Sequence, residues 1–254
     1  MPRNKKSTKV VLGHRDISLL KDIFFSKIVD TRTIIRRHFP DNCYNIAIRR
    51  INILFKAGYL KKVGLSNYGK RQLGYSVTEK SLTVLKQNLG TKINRKELAS
   101  DNVLHDLSLN HIVDRLKLTK GLIALKTENE LQSLSLVDND NSLVPFKRLN
   151  TDVCIKIESN NQTYRFALEY ERVTKVKDRW EEYLLSYHLE EEIDAVLYVC
   201  ENHTILKTLS KVEMKLCKTY SAKVYFITLS NFISGEKKAT FENVFGHKFT
   251  LYFH

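Results

Sequence analysis

Proline and glycine are scarce in this chain, with 3 and 9 copies in 254 residues. That excludes collagen-like repeats and Pro/Gly-rich low-complexity sequence, and leaves a folded globular protein as the expectation. Long apolar runs are missing as well. None approaches the ~20 residues needed to cross a bilayer, so no membrane span is expected. The charged start, Met1-Pro2-Arg3-Asn4-Lys5-Lys6, leads only into Val10-Val11-Leu12, too short for a secretory core segment. The four cysteines, Cys43, Cys154, Cys200 and Cys217, are far apart and form no CxxC pair. Such spacing argues against a disulfide framework or a zinc site and fits a reducing cytoplasm. The patterns GxGxxG, GxxxxGK[ST] and HExxH are all absent, which excludes the nucleotide-cofactor and zinc-protease chemistries that depend on them. Tryptophan occurs once, at Trp180. Its neighbours Tyr183 and Tyr187 share a helical face with it, so core packing is expected rather than base stacking.

What the chain does have is positive charge, unevenly placed. The net charge is +14; residues 1–100 hold 22 Lys and Arg against 6 Asp and Glu, and the remaining 154 hold 20 against 22. The excess therefore lies wholly in the first part, as in a polyanion-binding module fused to a near-neutral one.

The hydrophobic rhythm of residues 1–92 predicts three helices, a hairpin and a further helix. Residues 15–28 carry apolar side chains at helical spacing. Residues 31–39 form a short helix with Asp30 or Thr31 as N-cap and Pro40 beyond its end. Asp41 or Asn42 opens a third helix that runs to Lys56 and stops at Gly58. Residues 59–63 and 73–77 read as two strands around a polar, glycine-containing turn at 66–69, followed by a helix over 81–89. This is the element order of a winged helix-turn-helix. At ~100° per residue, Cys43, Ala47, Ile51 and Leu54 fall on one side of the third helix, with Asn45, Arg49, Asn52 and Lys56 opposite. Amides and a guanidinium match the adenine and guanine edges of the major groove. Arg36 and Arg37 at the end of the second helix, and Lys61, Lys62, Tyr68, Lys70 and Arg71 on the wing, suit phosphate contact. The implied partner is double-stranded DNA.

Past a linker at 90–99, residues 100–254 alternate strands and helices. The prediction is a helix over 101–118, strands over 121–125, 152–158 and 164–170 with a turn at Asn160-Asn161, and a helix over 175–191. A strand over 195–199, a helix over 204–220, a strand over 222–228 and an aromatic tail at 241–253, suited to an edge strand, complete it. The fold class is thus α+β: a small DNA-binding domain, then an α/β domain with a mixed sheet. Asp152 opens one strand of the hairpin, and Glu169 and Glu171 close the other on a single face. Three such carboxylates suit Mg2+, which activates water for phosphodiester hydrolysis, with Lys175 near to offset developing charge. Solvent-exposed strand ends beside basic partners are the other reading of the same residues.

Taken together, the chain resembles the replication-relaxation family of plasmids and other mobile elements. The likeness rests on Arg15-Asp16-Ile17, Leu54-Phe55-Lys56-Ala57-Gly58-Tyr59-Leu60, Tyr75-Ser76-Val77-Thr78-Glu79-Lys80 and His105-Asp106-Leu107. Thr151-Asp152, Ala167-Leu168-Glu169-Tyr170-Glu171-Arg172 and Val196-Leu197-Tyr198-Val199 extend it over most of the chain. The resemblance implies a winged helix joined to a domain like the PD-(D/E)XK nuclease core. Asp152 then matches that motif's Asp, preceded by Thr151 instead of Pro. Glu169 matches the second acid, and Glu171 stands where the motif has Lys. A glutamate there cannot supply the positive charge that positions water, which argues for a nuclease-like fold without cleavage. Three functions stay open: a site-specific DNA-binding factor in replication, transfer or transcriptional control, a Mg2+-dependent endonuclease catalysed by Asp152, Glu169, Glu171 and Lys175, and an adaptor for a relaxase or replication initiator, with homodimerisation compatible with each.

Overall fold

The computed structural model describes residues 10–40, 44–65, 73–89, 98, 100–133, 140–174 and 177–254. The chain is a mixed α+β protein in two compact units, Met1–Leu107 and Ser108–His254. No described helix is long and apolar enough to cross a membrane.

The first unit opens with α1 (His14–Phe25), where the Asp16 carboxylate accepts the Gly13 amide at 2.8 Å and satisfies a donor that the helix start leaves over. A two-residue strand, β1 (Val29–Asp30), leads into α2 (Thr31–His38). Asp30 is the N-cap, its Oδ1 accepting the Thr33 amide at 2.9 Å. Helix α3 (Tyr44–Lys56) ends as its sequence predicts. Gly58 takes φ +77°, Gly58 N–H donates to Phe55 O at 2.9 Å, and Tyr59 N–H donates to Leu54 O at 3.0 Å. This pair of bonds caps the orphan carbonyls, and a side chain with a Cβ would strain the turn. Strands β2 (Leu60–Gly64) and β3 (Leu73–Val77) pair antiparallel, and β1 adds to β3 through Val29 and Asp30, giving the order β1-β3-β2. Helix α4 (Glu79–Leu89) follows, starting two residues earlier than expected. Leu19, Leu20, Ile23, Phe24, Ile34, Ala47, Ile51, Leu54, Leu82 and Leu85 meet in one core. The hairpin tip at 66–72 and the helix opening at 41–43 lie outside the described residues.

The boundary between units falls later than the linker expected at 90–99. It lies within α5 (Val103–Leu116), because Leu107 packs with Ile28 and Leu65 in a small apolar cluster of the first unit.

The second unit is built on a seven-stranded mixed sheet, ordered β10-β9-β8-β7-β6-β5-β4. Strand β4 (Leu122–Thr127) pairs antiparallel with β5 (Val153–Ser159), and β5 with β6 (Gln162–Glu171). Asn160 and Asn161 both have positive φ, 51° and 62°, so the β5–β6 turn has the primed geometry that matches strand twist. Strands β6, β7 (Ala195–Cys200) and β8 (Val224–Thr228) run parallel, joined by α8 (Lys177–His188) and α9 (His203–Leu216). The aromatic tail forms two strands rather than one, β9 (Lys238–Glu242) and β10 (Lys248–Tyr252), paired antiparallel. Three short helices were not anticipated: α6 (Glu128–Ser133), α7 (Val144–Arg148) and α10 (Leu229–Ser234). Alternate residues of the central strands feed two cores. Val153, Ile155, Leu168, Leu197 and Val199 pack with Ile112 and Leu116 of α5 and Phe232 of α10. Cys154, Ala167, Val196, Tyr198 and Cys200 pack with Trp180, Leu184 and Tyr187 of α8 and Leu209 and Val212 of α9.

Candidate nucleic-acid interface and the buried acidic cluster

Helix α3 has the two faces its spacing predicts. Ala47, Ile51 and Leu54 are fully buried, whereas Asn45, Arg49 and Lys56 are exposed and Asn52 is half-buried. Cys43 lies outside the described residues. Among those described, no ion pair or hydrogen bond engages the side chains of Asn45, Arg49 or Lys56. Sequence reasoning passed over two residues beside this stripe, Tyr44 and Ile46, which are 60% and 53% exposed in the first turn of α3. Single exposed apolar side chains are ordinary on a protein surface, so these two bear on a contact surface only through their place beside the polar stripe.

From β2, Lys61 is exposed, while Lys62 turns onto α3. Its Nζ lies 4.3 Å above the Phe55 ring and donates to Asn52 Oδ1 at 3.4 Å. Lys62 thereby orients the Asn52 amide as well as adding charge. Tyr68, Lys70 and Arg71 lie outside the described residues. Arg36 is exposed. Arg37 instead turns inward, its Nη1 donating to Asp22 Oδ1 and Oδ2 at 3.1 and 3.0 Å, and His38 Nε2 meets the same carboxylate at 3.0 Å. The role found for Arg37 is thus fastening α2 to α1.

Arg50 fastens α3 in the same way. Its Nε donates to Asp16 Oδ1 at 2.8 Å, its Nη2 to Asp16 Oδ2, and Nη2 also reaches Val11 O at 2.9 Å. Asp16 and Asp22 are paired with Arg50 and Arg37, so their charges go chiefly to balancing those two arginines. Burial works to raise the Asp16 carboxyl, but the Arg50 hydrogen bonds, the Gly13 amide and the charges of Arg50 and Arg15 together hold it below the usual carboxylate value. A depressed carboxylate stabilises the fold above its unfolded pKa, near ~4, and that contribution disappears as pH falls through the lower folded value. Arg50→Ala is expected to destabilise the first unit by about 2–3 kcal/mol at neutral pH, discounted from the fully buried case because Arg50 is partly exposed. Denaturant titrations of both proteins at neutral pH and below pH 3 check this, since the gap must narrow in acid.

In the second unit the three predicted acids lie on neighbouring strands, but not at open strand ends. Asp152 immediately precedes β5, and its Oδ2 accepts the Tyr170 amide at 2.9 Å. Glu169 and Glu171 share one face of β6, as expected, and are buried beneath α8. The Tyr187 hydroxyl bonds Glu169 Oε1 and lies 2.8 Å from Thr151 Oγ1. Trp180 is packed in the core and also donates its indole N–H to Glu171 Oε2 at 3.1 Å. Burial, then the nearby Glu169 charge, pushes the Tyr183 and Tyr187 phenols well above their ordinary value, which keeps them protonated as donors. Each of the three carboxylates thus accepts from at least one neutral donor among the described residues. Lys175 lies outside the described residues.

Asp152, Glu169 and Glu171 do not assemble a set of three ligand atoms within 4.8 Å of one another. Among the described residues that arrangement occurs at His188, Glu213 and Cys217. The spacing Glu213 to Cys217, one helical turn, was the available signal; its partner His188 comes from another helix. Comparison with known protein families, curated proteins and solved structures finds no match.

Proposed function

We propose that this chain is a double-stranded DNA-binding protein whose first unit is a winged helix that seats α3 in the major groove. The supporting observation is the stripe of Asn45, Arg49 and Lys56, exposed on α3 opposite a fully buried face, in a unit whose acids are largely turned inward. In this reading Arg49 takes guanine O6 and N7, Asn45 takes an adenine edge, and the exposed Ile46 meets a thymine methyl. Arg36 and Lys61 neutralise backbone phosphates and set register. Arg37, tied to Asp22, leaves the interface. The process served, whether replication, transfer or transcriptional control of a mobile element, rests on the resemblance to the replication-relaxation family.

The test starts from a duplex selected out of a randomised pool by the full-length protein. Arg49→Ala is expected to cost about 1–3 kcal/mol on the selected site and to relax preference at one base pair. Lys61→Ala is expected to weaken selected and scrambled duplexes alike. Equal behaviour of the two variants in a fluorescence anisotropy titration would sink the assignment of α3 as the reading helix.

The second unit has in this reading a nuclease-like fold used for assembly rather than cleavage. Its acids are engaged by Tyr170, Tyr187 and Trp180, which favours a structural role for them. Selected duplex incubated with the protein and Mg2+ or Mn2+ is expected to stay intact. Cleavage that Asp152→Ala abolishes would instead establish the endonuclease reading.

A further inference from the structure

The second unit gathers three metal-ligating side chains that the sequence keeps apart. His188 is the last residue of α8, Glu213 lies in the final turns of α9, and Cys217 is the C-cap of that helix. The His188 and Glu213 side chains are 1% and 0% exposed, while Cys217 is half-buried and supplies a route to solvent. Glu213 sits on the apolar face of α9 with Leu209, Val212 and Leu216, an unfavourable place for a carboxylate without strong compensation. Its Oε2 is 2.9 Å from His188 Nε2, and its Oε1 is 3.4 Å from Cys217 Sγ.

We propose that His188, Glu213 and Cys217 form a Zn2+ site, with water in the fourth position. Bonds of about 2.0–2.3 Å to N, O and S place neighbouring ligands of a tetrahedral zinc roughly 3.3–3.8 Å apart. The three donor atoms already lie within 4.8 Å of one another, so modest side-chain adjustments admit the ion. The donor set selects the metal. Mg2+ and Ca2+ take oxygen ligands, whereas one sulfur, one imidazole nitrogen and one carboxylate suit Zn2+. Charge fits as well, because a thiolate and a carboxylate together cancel a divalent cation and leave a neutral buried site. On binding, the ion displaces the Cys217 thiol proton to solvent, and His188 offers Nε2 as a bare ring nitrogen with its proton on Nδ1. The surroundings hold the ligands in place. The Tyr220 ring stacks on His188 at 5.4 Å, and the Val224 and Lys223 amides lie 3.4 and 3.5 Å from Glu213 Oε1. The ion would fasten the C-terminal ends of α8 and α9 to each other.

The test uses full-length protein stripped of metal and titrated with Zn2+ against a chromophoric chelator. One equivalent is expected to bind and to raise Tm by about 5–10 °C at a hundredfold excess over Kd. Co2+ as the probe is expected to give a sulfur-to-cobalt charge-transfer band. Cys217→Ser, which keeps a donor toward Glu213 and so preserves the fold, is expected to abolish that band and weaken Zn2+ on the order of 100-fold. His188→Gln is expected to weaken it similarly. Absence of stoichiometric binding overturns the site and leaves a hydrogen-bonded triad. Binding that Cys217→Ser leaves unchanged overturns it too, since the metal then sits elsewhere.

Discussion

Raising salt from 50 to 200 mM is expected to weaken duplex binding by about a thousandfold. The figure follows from counting which cations remain available to phosphates. Arg37 and Arg50 are engaged by Asp22 and Asp16, so their charge is largely internal. Arg49, Lys56 and Lys61 face outward, and the sequence adds Arg3, Lys5, Lys6 and Lys9 at the start and Lys70 and Arg71 between β2 and β3. If about six of these neutralise phosphates at once, counterion release sets a log–log slope near −5, and a fourfold rise in salt produces the stated loss. Lys56→Ala or Lys61→Ala is then expected to flatten the slope by about 0.9 each, whereas Arg37→Ala changes stability and leaves the slope alone. A flat salt dependence across this range would remove the electrostatic basis of the DNA-binding reading.

Arg37 and Arg50 also mark where sequence reasoning stops. Local signals sufficed wherever one stretch of chain determines its own geometry. Gly58 ended α3 at the expected place, strand β3 spans the expected residues 73–77, and Asn160-Asn161 made the expected hairpin turn. The alternation of Ala47, Ile51 and Leu54 with Asn45, Arg49 and Lys56 was legible for the same reason: helical periodicity is a property of the segment itself. Partners chosen across distance were not legible. Arg37 finds Asp22 and Arg50 finds Asp16, 15 and 34 residues away, and nothing local separates such an arginine from one facing solvent. Strand β1 escaped notice because two residues carry no periodicity; it exists only through its pairing with Gly74 and Tyr75.

The acids were the hardest to read. Glu169 and Glu171 were expected on one face, and they are, but that face was read as open. Strand β6 lies between β5 and β7 with α8 covering one side, so residues 166–171 are all buried. A strand buried on both faces follows from the parallel β6–β7–β8 arrangement, which one strand's own pattern does not specify. His188, Glu213 and Cys217 meet for a similar reason, through the packing of α8 beside α9.

Trp180→Ala is expected to destabilise the second unit by about 4–8 kcal/mol, the largest effect of any single substitution considered. Two losses combine. Removing a fully buried indole leaves a cavity between α8 and the sheet, which by itself costs about 3–5 kcal/mol. The same change takes from Glu171 Oε2 the donor at 3.1 Å, on a carboxylate that the sheet keeps away from water. Trp180→Phe separates the two, because it retains most of the ring volume and removes the N–H; about 1–3 kcal/mol is expected from the lost bond. In a Glu171→Gln background the added cost of Trp180→Phe should fall, since a neutral amide suffers less from losing a donor than a carboxylate does. Equilibrium urea unfolding followed by circular dichroism reads all five proteins, since three of the variants lose the chain's only tryptophan. If Trp180→Phe costs only a few tenths of a kcal/mol and shows no coupling to residue 171, the indole is filling space alone. The buried acids would then owe their stability to Tyr187 and Tyr183, also on α8, and to the backbone.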